Sequence, residues 1–414
     1  MHVRQWVFLF AVATWISACG SPAADHEFQP VSIGTDSVHS QLAPLARAIG
    51  DRRIVLLGEN GHGVGQLTSA KVELIAWLHR ELGFEVVIME SGFFECGRAW
   101  RRAAELSARE MLFDCLRYPF QQAELLPLFE TIRASRASGQ PLELAGMDPQ
   151  AQGFDAGERP LVLHAVLAGR DAELARRVAS YDSALFLVAD SGGLGDEAGP
   201  WLLEHGAAAA AAYDSAAALT TGWDRWAFLL GRGLVERLDA RAQAEAAGEE
   251  EAPAAFYEKR DEWMARAVAA LADSIAGPRK VVVWLHNDHA RYGRFASGRH
   301  EVRSVGGFLR EWYGDDVYSI GFFMGRGTIA DNGRRTRDVG PPPQDGVESF
   351  LAAAGHRAGY LVLNGSQDAA MRAWADSSRP YLRMGITPME LVPSAEFDAL
   401  FYIDSVGPPT YSFP

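Results

Sequence analysis

Glu59 and His62 stand three positions apart in the run Gly58-Glu-Asn-Gly-His-Gly63. A carboxylate beside an imidazole is a minimal acid–base unit: the acid fixes the ring tautomer and the other ring nitrogen takes the proton. A plain structural use is open as well, with Glu59 capping a helix and His62 hydrogen-bonded inside the turn. Similar chemistry recurs elsewhere in the chain. The apolar run Val86-Val-Ile-Met89 ends at Glu90, and Leu142-Glu-Leu-Ala145 leads to Asp148. The plainest apolar run, Lys280-Val-Val-Val-Trp-Leu285, ends in His286-Asn-Asp-His289. Two histidines at that spacing are able to ligate metal. There is no H-E-x-x-H pattern and no thiolate set beside them, so neither a metal nor another cofactor is expected. A serine nucleophile is unsupported, because the chain has no Gly-x-Ser-x-Gly elbow.

These residues need elements to carry them. Ile54-Val-Leu-Leu57 is long enough for one buried strand, and Gly58, Gly61 and Gly63 suit an abrupt turn from strand into helix. The helix is expected from Val64 to Leu82, where Leu67, Leu74, Ile75, Leu78 and Leu82 share one apolar stripe. Lys71 falls on that stripe, so it either snorkels to solvent or reaches into a site at the sheet's edge. An amphipathic helix is expected around Ala123 to Arg136, and a further one from Arg260 to about Ile275. Later strands are expected at Val317 to Phe323, Tyr360 to Leu363 and Leu400 to Ile403. Acidic residues and histidines thus recur at the carboxyl ends of successive strands, where an open parallel sheet binds its ligands.

The expected fold class is α/β, with a mostly parallel central sheet flanked by helices and a helical insertion forming a cap. Residues 36–156 and 266–414 supply the two parts of the core, and 157–265 the insertion. Within the insertion, Trp201, Trp223, Trp226 and Phe228 serve helix packing or cover an apolar pocket. The chain of 414 residues is 48% hydrophobic and 22% charged, ordinary for a globular protein with a sizeable core. A net charge of -14 without a dense basic block argues against nucleic acid as a partner.

Residues 1–19 read as a lipoprotein signal peptide. Arg4 is its positive end, Trp6 to Ile16 its apolar stretch, and Ile16-Ser-Ala-Cys19 resembles a bacterial lipobox. Cys19 is then the lipidated first residue of an exported, envelope-anchored protein, and residues 20–35 a polar tether to the membrane. Cys96 and Cys115 remain, either paired in an oxidising compartment or buried as free thiols.

With these motifs assembled, the chain resembles the erythromycin esterase family. The match runs in order over about residues 40 to 410. It begins with Gly58-Glu59, His62-Gly63, Glu90 and Gly146-Met-Asp148. It continues with Arg260-Asp261, Trp284-Leu-His286-Asn287 and His289, then with Gly306-Gly-Phe-Leu309, Ser319-Ile-Gly-Phe322 and Phe397 to Asp404. The resemblance implies hydrolysis of an ester or macrolactone by activated water, without a covalent enzyme intermediate, and a small-molecule or macrolide-like substrate. By position His62 is the general base, and Glu59, Glu90 and His286 orient base and water or touch substrate. Lys71, Gln66, His289 and Asp148 are the expected substrate contacts. Lys71 stands where macrolide-hydrolysing members usually carry arginine, and Gln66 where they often carry glutamate. An ammonium lacks the guanidinium's rigid fork, so the departure bears on the substrate more than on the chemistry. A second reading, from another class, is a haem- or metal-binding envelope lipoprotein of similar fold, with His286, His289, Met264 and Met324 as ligands. A third is a catalytically degenerate binding factor, against which the intact Glu59, His62, Glu90 and His286 set speaks.

Overall fold

The computed structural model describes residues 27–34, 38–137, 139–150, 156–190, 198–249 and 251–412. Cys19, the tether up to residue 26 and most of the Gly-rich stretch at 191–200 lie outside the described residues. The central sheet contains β1 (Gln29–Pro30), β2 (Ile54–Leu57), β3 (Val86–Gly92), β4 (Glu143–Asp148), β5 (Val281–Trp284), β6 (Val317–Ala330), β7 (Ala358–Val362) and β8 (Ala399–Val406). Their order across the sheet is β1-β7-β8-β6-β2-β5-β3-β4, with Thr336–Asp338 added beside β6. From β8 to β4 every neighbour is parallel; the β1–β7–β8 edge is antiparallel.

β2 sits in the middle, and its sequence explains why. All four residues are buried, as a strand covered on both faces requires. Ile54 and Leu56 point into one core with Val86, Ile88, Val281 and Val283. Val55 and Leu57 point into the other with Val87, Met89, Val282 and Trp284. Ile54 pairs with Val281 on one side and Val317 on the other, so the chain passes from β5 to β6 across β2. The turn after β2 therefore lies where the strand order reverses, the usual place for a ligand cleft.

Helix α1 (Gly65–Leu82) follows that turn and packs its apolar side into the second core. After β3 come α2 (Phe93–Arg101) and α3 (Ala108–Cys115), joined by a disulfide between Cys96 and Cys115, both fully buried. The helix expected at Ala123 to Arg136 is two pieces: a 3-10 turn over Ala123–Leu125, then α4 (Leu126–Ser135), with Pro127 in the first turn. Between 156 and 269 the described residues are mostly helical: α5 (Arg159–Ala168), α6 (Ala172–Asp190), α7 (Ala198–Ala218), α8 (Gly222–Ala246) and α9 (Ala254–Ala269). Their buried residues join the first core. Trp223 packs between Phe93 and Phe94 of α2 and under the Arg101 guanidinium, so it serves helix packing.

Two boundaries differ from the sequence expectation. α9 begins at Ala254, capped after Pro253, which puts Arg260 and Asp261 mid-helix. β6 runs on past Phe323 to Ala330, because its second half pairs with β8 and with Thr336–Asp338. After β5 a single turn, Asn287–Ala290, leads through a small hairpin to α10 (Val305–Tyr313).

Candidate active site

The turn after β2 is shaped by close backbone approach. A Cβ on Gly58 would lie 2.1 Å from Asn287 Oδ1, and one on Gly63 would lie 2.0 Å from the Ala330 carbonyl oxygen. Only glycine lets both neighbours come this near. Asn287 uses the space: its amide N–H donates to the Phe322 carbonyl at 2.9 Å, its side-chain oxygen accepts from Phe322 N at 3.1 Å, and its backbone N–H reaches the Glu59 carbonyl at 2.8 Å. Asn60 is pinned from the other side by the hairpin of Arg379–Arg383 and Thr387–Leu391. It donates to the Leu382 carbonyl at 2.6 Å and accepts from Met384 N at 2.9 Å.

His62 and Glu59 meet in this turn. His62 Nδ1 lies 2.7 Å from Glu59 Oε1. A carboxylate accepts only, so Nδ1 carries the proton and Nε2 is left as the basic nitrogen. Burial pushes the His62 pKa down, and the Glu59 hydrogen bond offsets this only in part. The other Glu59 oxygen accepts from Lys71 Nζ at 2.8 Å. Burial opposes the charge on Glu59, yet Lys71 and the His62 hydrogen bond outweigh it and hold the carboxyl below its ordinary range. Burial also brings the Lys71 ammonium down to about 8, against the pull of Glu59.

Lys71 does not snorkel. Its side chain is 0% exposed, with the ammonium 3.9 Å from the Trp284 ring centroid. It stands behind Glu59, closed off from any substrate, so the structure gives it a positioning place and not a contact. Gln66 is not brought to the cluster either. It is exposed and accepts from Gly407 N at 2.6 Å. The reason is helical: five residues are about 500°, so Gln66 and Lys71 leave α1 on different sides.

Glu90 closes β3 and gathers the second half of the site. Its Oε2 accepts from the His286 backbone N–H at 2.9 Å. Its Oε1 lies 3.3 Å from Arg117 Nη2 and 3.2 Å from Arg260 Nη2. Burial works against its charge, but His289, His62 and the two arginines hold its pKa well below the ordinary carboxylate value. Asp148, at the end of β4, accepts from Arg260 Nε at 3.2 Å and Nη2 at 2.7 Å on Oδ2 and from the Gln150 backbone N–H at 3.0 Å on Oδ1, and lies behind Arg260, also closed to substrate. His289 Nδ1 is 2.7 Å from Asp261 Oδ2. Arg260-Asp261 on α9 thus ties the helical stretch to the ends of β3 and β4.

His286 is the N-cap of the Asn287–Ala290 turn. Its Nδ1 accepts the Asp288 backbone N–H at 3.1 Å. Asp288 Oδ2 is also 3.3 Å away, but Arg383 holds that oxygen through two nitrogens, at 2.7 and 2.6 Å. We therefore assign the proton to Nε2, which is buried without a hydrogen-bond partner among the described residues. The His286 ring meets the His62 ring edge-on at 5.4 Å, and the Phe120 ring covers His62 at 4.5 Å. Gln122 completes the enclosure, donating to the His62 carbonyl at 2.5 Å.

Of the expected residues, then, His62, Glu59, Glu90, His286 and His289 converge on one cluster. Lys71 and Asp148 support it from behind, and Gln66 stands apart. The ligand set of the haem or metal reading is not assembled: Met264 lies in the first core and Met324 in the second, on opposite faces of the sheet. Among the described residues no group of three or more His, Cys, Asp or Glu side chains is arranged to hold a metal ion. Sequence reasoning did not single out Arg117, Phe120, Gln122, Asn60 or Asp288. Nothing local marks them, whereas Arg260-Asp261 was visible within the ordered motif set.

The erythromycin esterase family model matches residues 79–406, most of the chain. The chain belongs to the erythromycin esterase family. One relative is YbfO of Bacillus subtilis (strain 168), a provisional hydrolase by its name, 23% identical, with 92% of this chain and 89% of YbfO covered. Three solved structures share the family fold at lower identity. A Bacillus cereus protein has a TM-score of 0.77 at 19% identity, covering 94% of this chain and 98% of that one. A protein described as a succinoglycan biosynthesis protein gives 0.79 at 17% identity, with 94% and 97% covered. The erythromycin esterase EreC, as a mutant in its open conformation, gives 0.63 at 16% identity, with 90% and 96% covered.

Proposed function

We propose that this member of the erythromycin esterase family is an esterase-like hydrolase in which His62 activates water. The observation that carries the reading is the chain Lys71–Glu59–His62, at 2.8 and 2.7 Å. Lys71 keeps Glu59 ionised, Glu59 keeps the proton on Nδ1, and a neutral His62 retains a basic Nε2. That nitrogen takes a proton from water as the oxygen attacks an ester carbonyl. Because water is the nucleophile, no covalent enzyme intermediate forms, and as the C–O bond breaks His62 returns its proton to the departing alkoxide. His286, whose ring meets that of His62 edge-on and whose Nε2–H has no hydrogen-bond partner among the described residues, donates to the carbonyl oxygen as negative charge builds there. Family membership and the hydrolase named among its relatives support the reaction class. The substrate is a small-molecule carboxylic ester or macrolactone, and Lys71, being buried, does not select it.

The test is purified protein against a panel of 4-nitrophenyl esters and macrolides, erythromycin among them, beside His62→Ala. Turnover should fall by roughly two to four orders of magnitude in the variant. Equal rates in the two proteins would sink the reading. A chelator should leave wild-type turnover intact.

We further propose that the enzyme works in the cell envelope, held to the membrane by lipid on Cys19. No helix among the described residues is long and apolar enough to cross a membrane, so attachment on this reading rests on the lipid.

A further inference from the structure

The cations around the cluster are not equivalent. Lys71 is 0% exposed, and Arg260, at 13%, is held by a fork to Asp148 and a further bond to Glu90. Arg117 is 23% exposed and meets Glu90 through one nitrogen, at 3.3 Å. Its Nε is buried with no hydrogen-bond partner among the described residues. A guanidinium has five N–H donors and cannot shed its charge, and this partly exposed one is committed to Glu90 through a single nitrogen, which leaves donors for a further acceptor.

The chain around Arg117 is firmly placed. Cys115 is tied to α2 by the disulfide, and its carbonyl accepts from the hydroxyl of Ser91, the residue after Glu90, at 2.6 Å. Gln121 holds the Leu116 carbonyl at 2.9 Å. Arg117 and the His286 backbone flank the two oxygens of the same Glu90 carboxylate. The His286 backbone N–H is spent on Glu90, whereas Arg117 also lies 5.3 Å from the centroid of the Phe120 ring, the ring that covers His62.

We propose that Arg117 is a catalytic residue, the charged donor that meets the oxyanion formed when water adds to the substrate carbonyl. This rests on the hydrolase reading above and adds a second donor to that of His286. As the carbonyl π bond breaks, its electron pair goes to oxygen, and Arg117 stabilises that charge without giving up a proton. When the carbonyl reforms, the interaction weakens. It therefore acts on the transition state more than on the bound ester.

Two measurements on full-length protein test the assignment, with Arg117→Met and Arg117→Lys beside wild type. The first is calorimetric binding of butylphosphonate, a tetrahedral anion that needs no turnover. Arg117→Met should bind it at least roughly tenfold more weakly, and Arg117→Lys in between, because lysine keeps the charge but loses the fork. The second is hydrolysis of 4-nitrophenyl butyrate. Arg117→Met should lose roughly 100-fold in kcat with KM within about threefold, and added guanidinium should restore part of the rate. Unchanged phosphonate binding in Arg117→Met, or a wild type that does not bind it, overturns the proposal. So does a change confined to KM. If wild type hydrolyses no ester, the hydrolase reading fails, and phosphonate binding alone decides whether Arg117 meets an oxyanion.

Discussion

The Lys71 ammonium lies 2.8 Å from Glu59 and is wholly screened from solvent, so one buried cation sets the charge of the acid that orients the base. Lys71→Met leaves Glu59 with a histidine as its partner and raises the pH at which it ionises. Turnover should drop at least tenfold, by weakening a positioned base. Wild-type activity should also decline as pH rises past about 8, where the lysine loses its proton. The check is the basic limb of the rate profile in both proteins. Undiminished turnover in Lys71→Met up to pH about 9 refutes this role.

Acid pH should act through His62. Burial, only partly offset by Glu59, lowers its pKa, so the proton is lost below the free-histidine value of about 6.5. The acid side of kcat/KM should therefore bend below pH about 6.5, with activity rising as His62 deprotonates. Stability follows the same sign. The unfolded chain binds this proton more tightly than the folded one, so His62 favours unfolding progressively as pH falls below about 6.5 and has no such effect above it. An acid limb centred above pH 7 would contradict the assignment.

The Cys96–Cys115 bridge spans a sequence separation of 19. The chain-entropy estimate for a loop of that size is about 3 kcal/mol. Replacing both cysteines with serine should lower unfolding stability by that order and lower turnover as well, since the bridge anchors the stretch bearing Arg117, Phe120 and Gln122. Mass spectrometry of alkylated protein, with and without prior reduction, reads the bridge directly. Two labelled cysteines at positions 96 and 115 before reduction would count against it.

Cys19→Ser should move the protein from the membrane fraction to the soluble fraction of a bacterial host. One acyl chain binds membranes only marginally, so stable attachment needs the several chains of a bacterial lipoprotein. An unmodified wild-type N-terminus on a soluble protein would rule the anchor out.

Much of this molecule can be read from single stretches of chain. Ile54–Leu57, Val86–Met89 and Val281–Trp284 are uniformly apolar because the sheet is covered on both faces, and their ends carry the Glu and His residues that core positions disfavour. What local pattern cannot give is which polar residues arrive from elsewhere. Arg117 looks like any surface arginine until the bridge from Cys115 places it against Glu90. Lys71 sits on an apolar stripe, and sequence alone offers snorkelling and burial equally; the deciding partner is Glu59, twelve positions back on another element. Gln66 shows the opposite failure. Closeness to His62 in sequence did not bring it to the cluster, since the helix turns its side chain away.

The clasp on Asn60 ties the turn of Glu59 and His62 to a distant part of the chain. Asn60 takes its two partners from Leu382 and Met384, 322 and 324 positions later. The side chain between Glu59 and His62 is thus held by a hairpin far along the chain, while Gln122 and Asn287 hold the carbonyls on either side of it. Contacts of such span are slow to form, because loop closure must come first. A fragment ending before residue 379 would keep His62, Glu59, Glu90 and His286 and still lack the clasp on Asn60. The turn that carries Glu59 and His62 is therefore closed by a long-range contact as well as by its own neighbourhood.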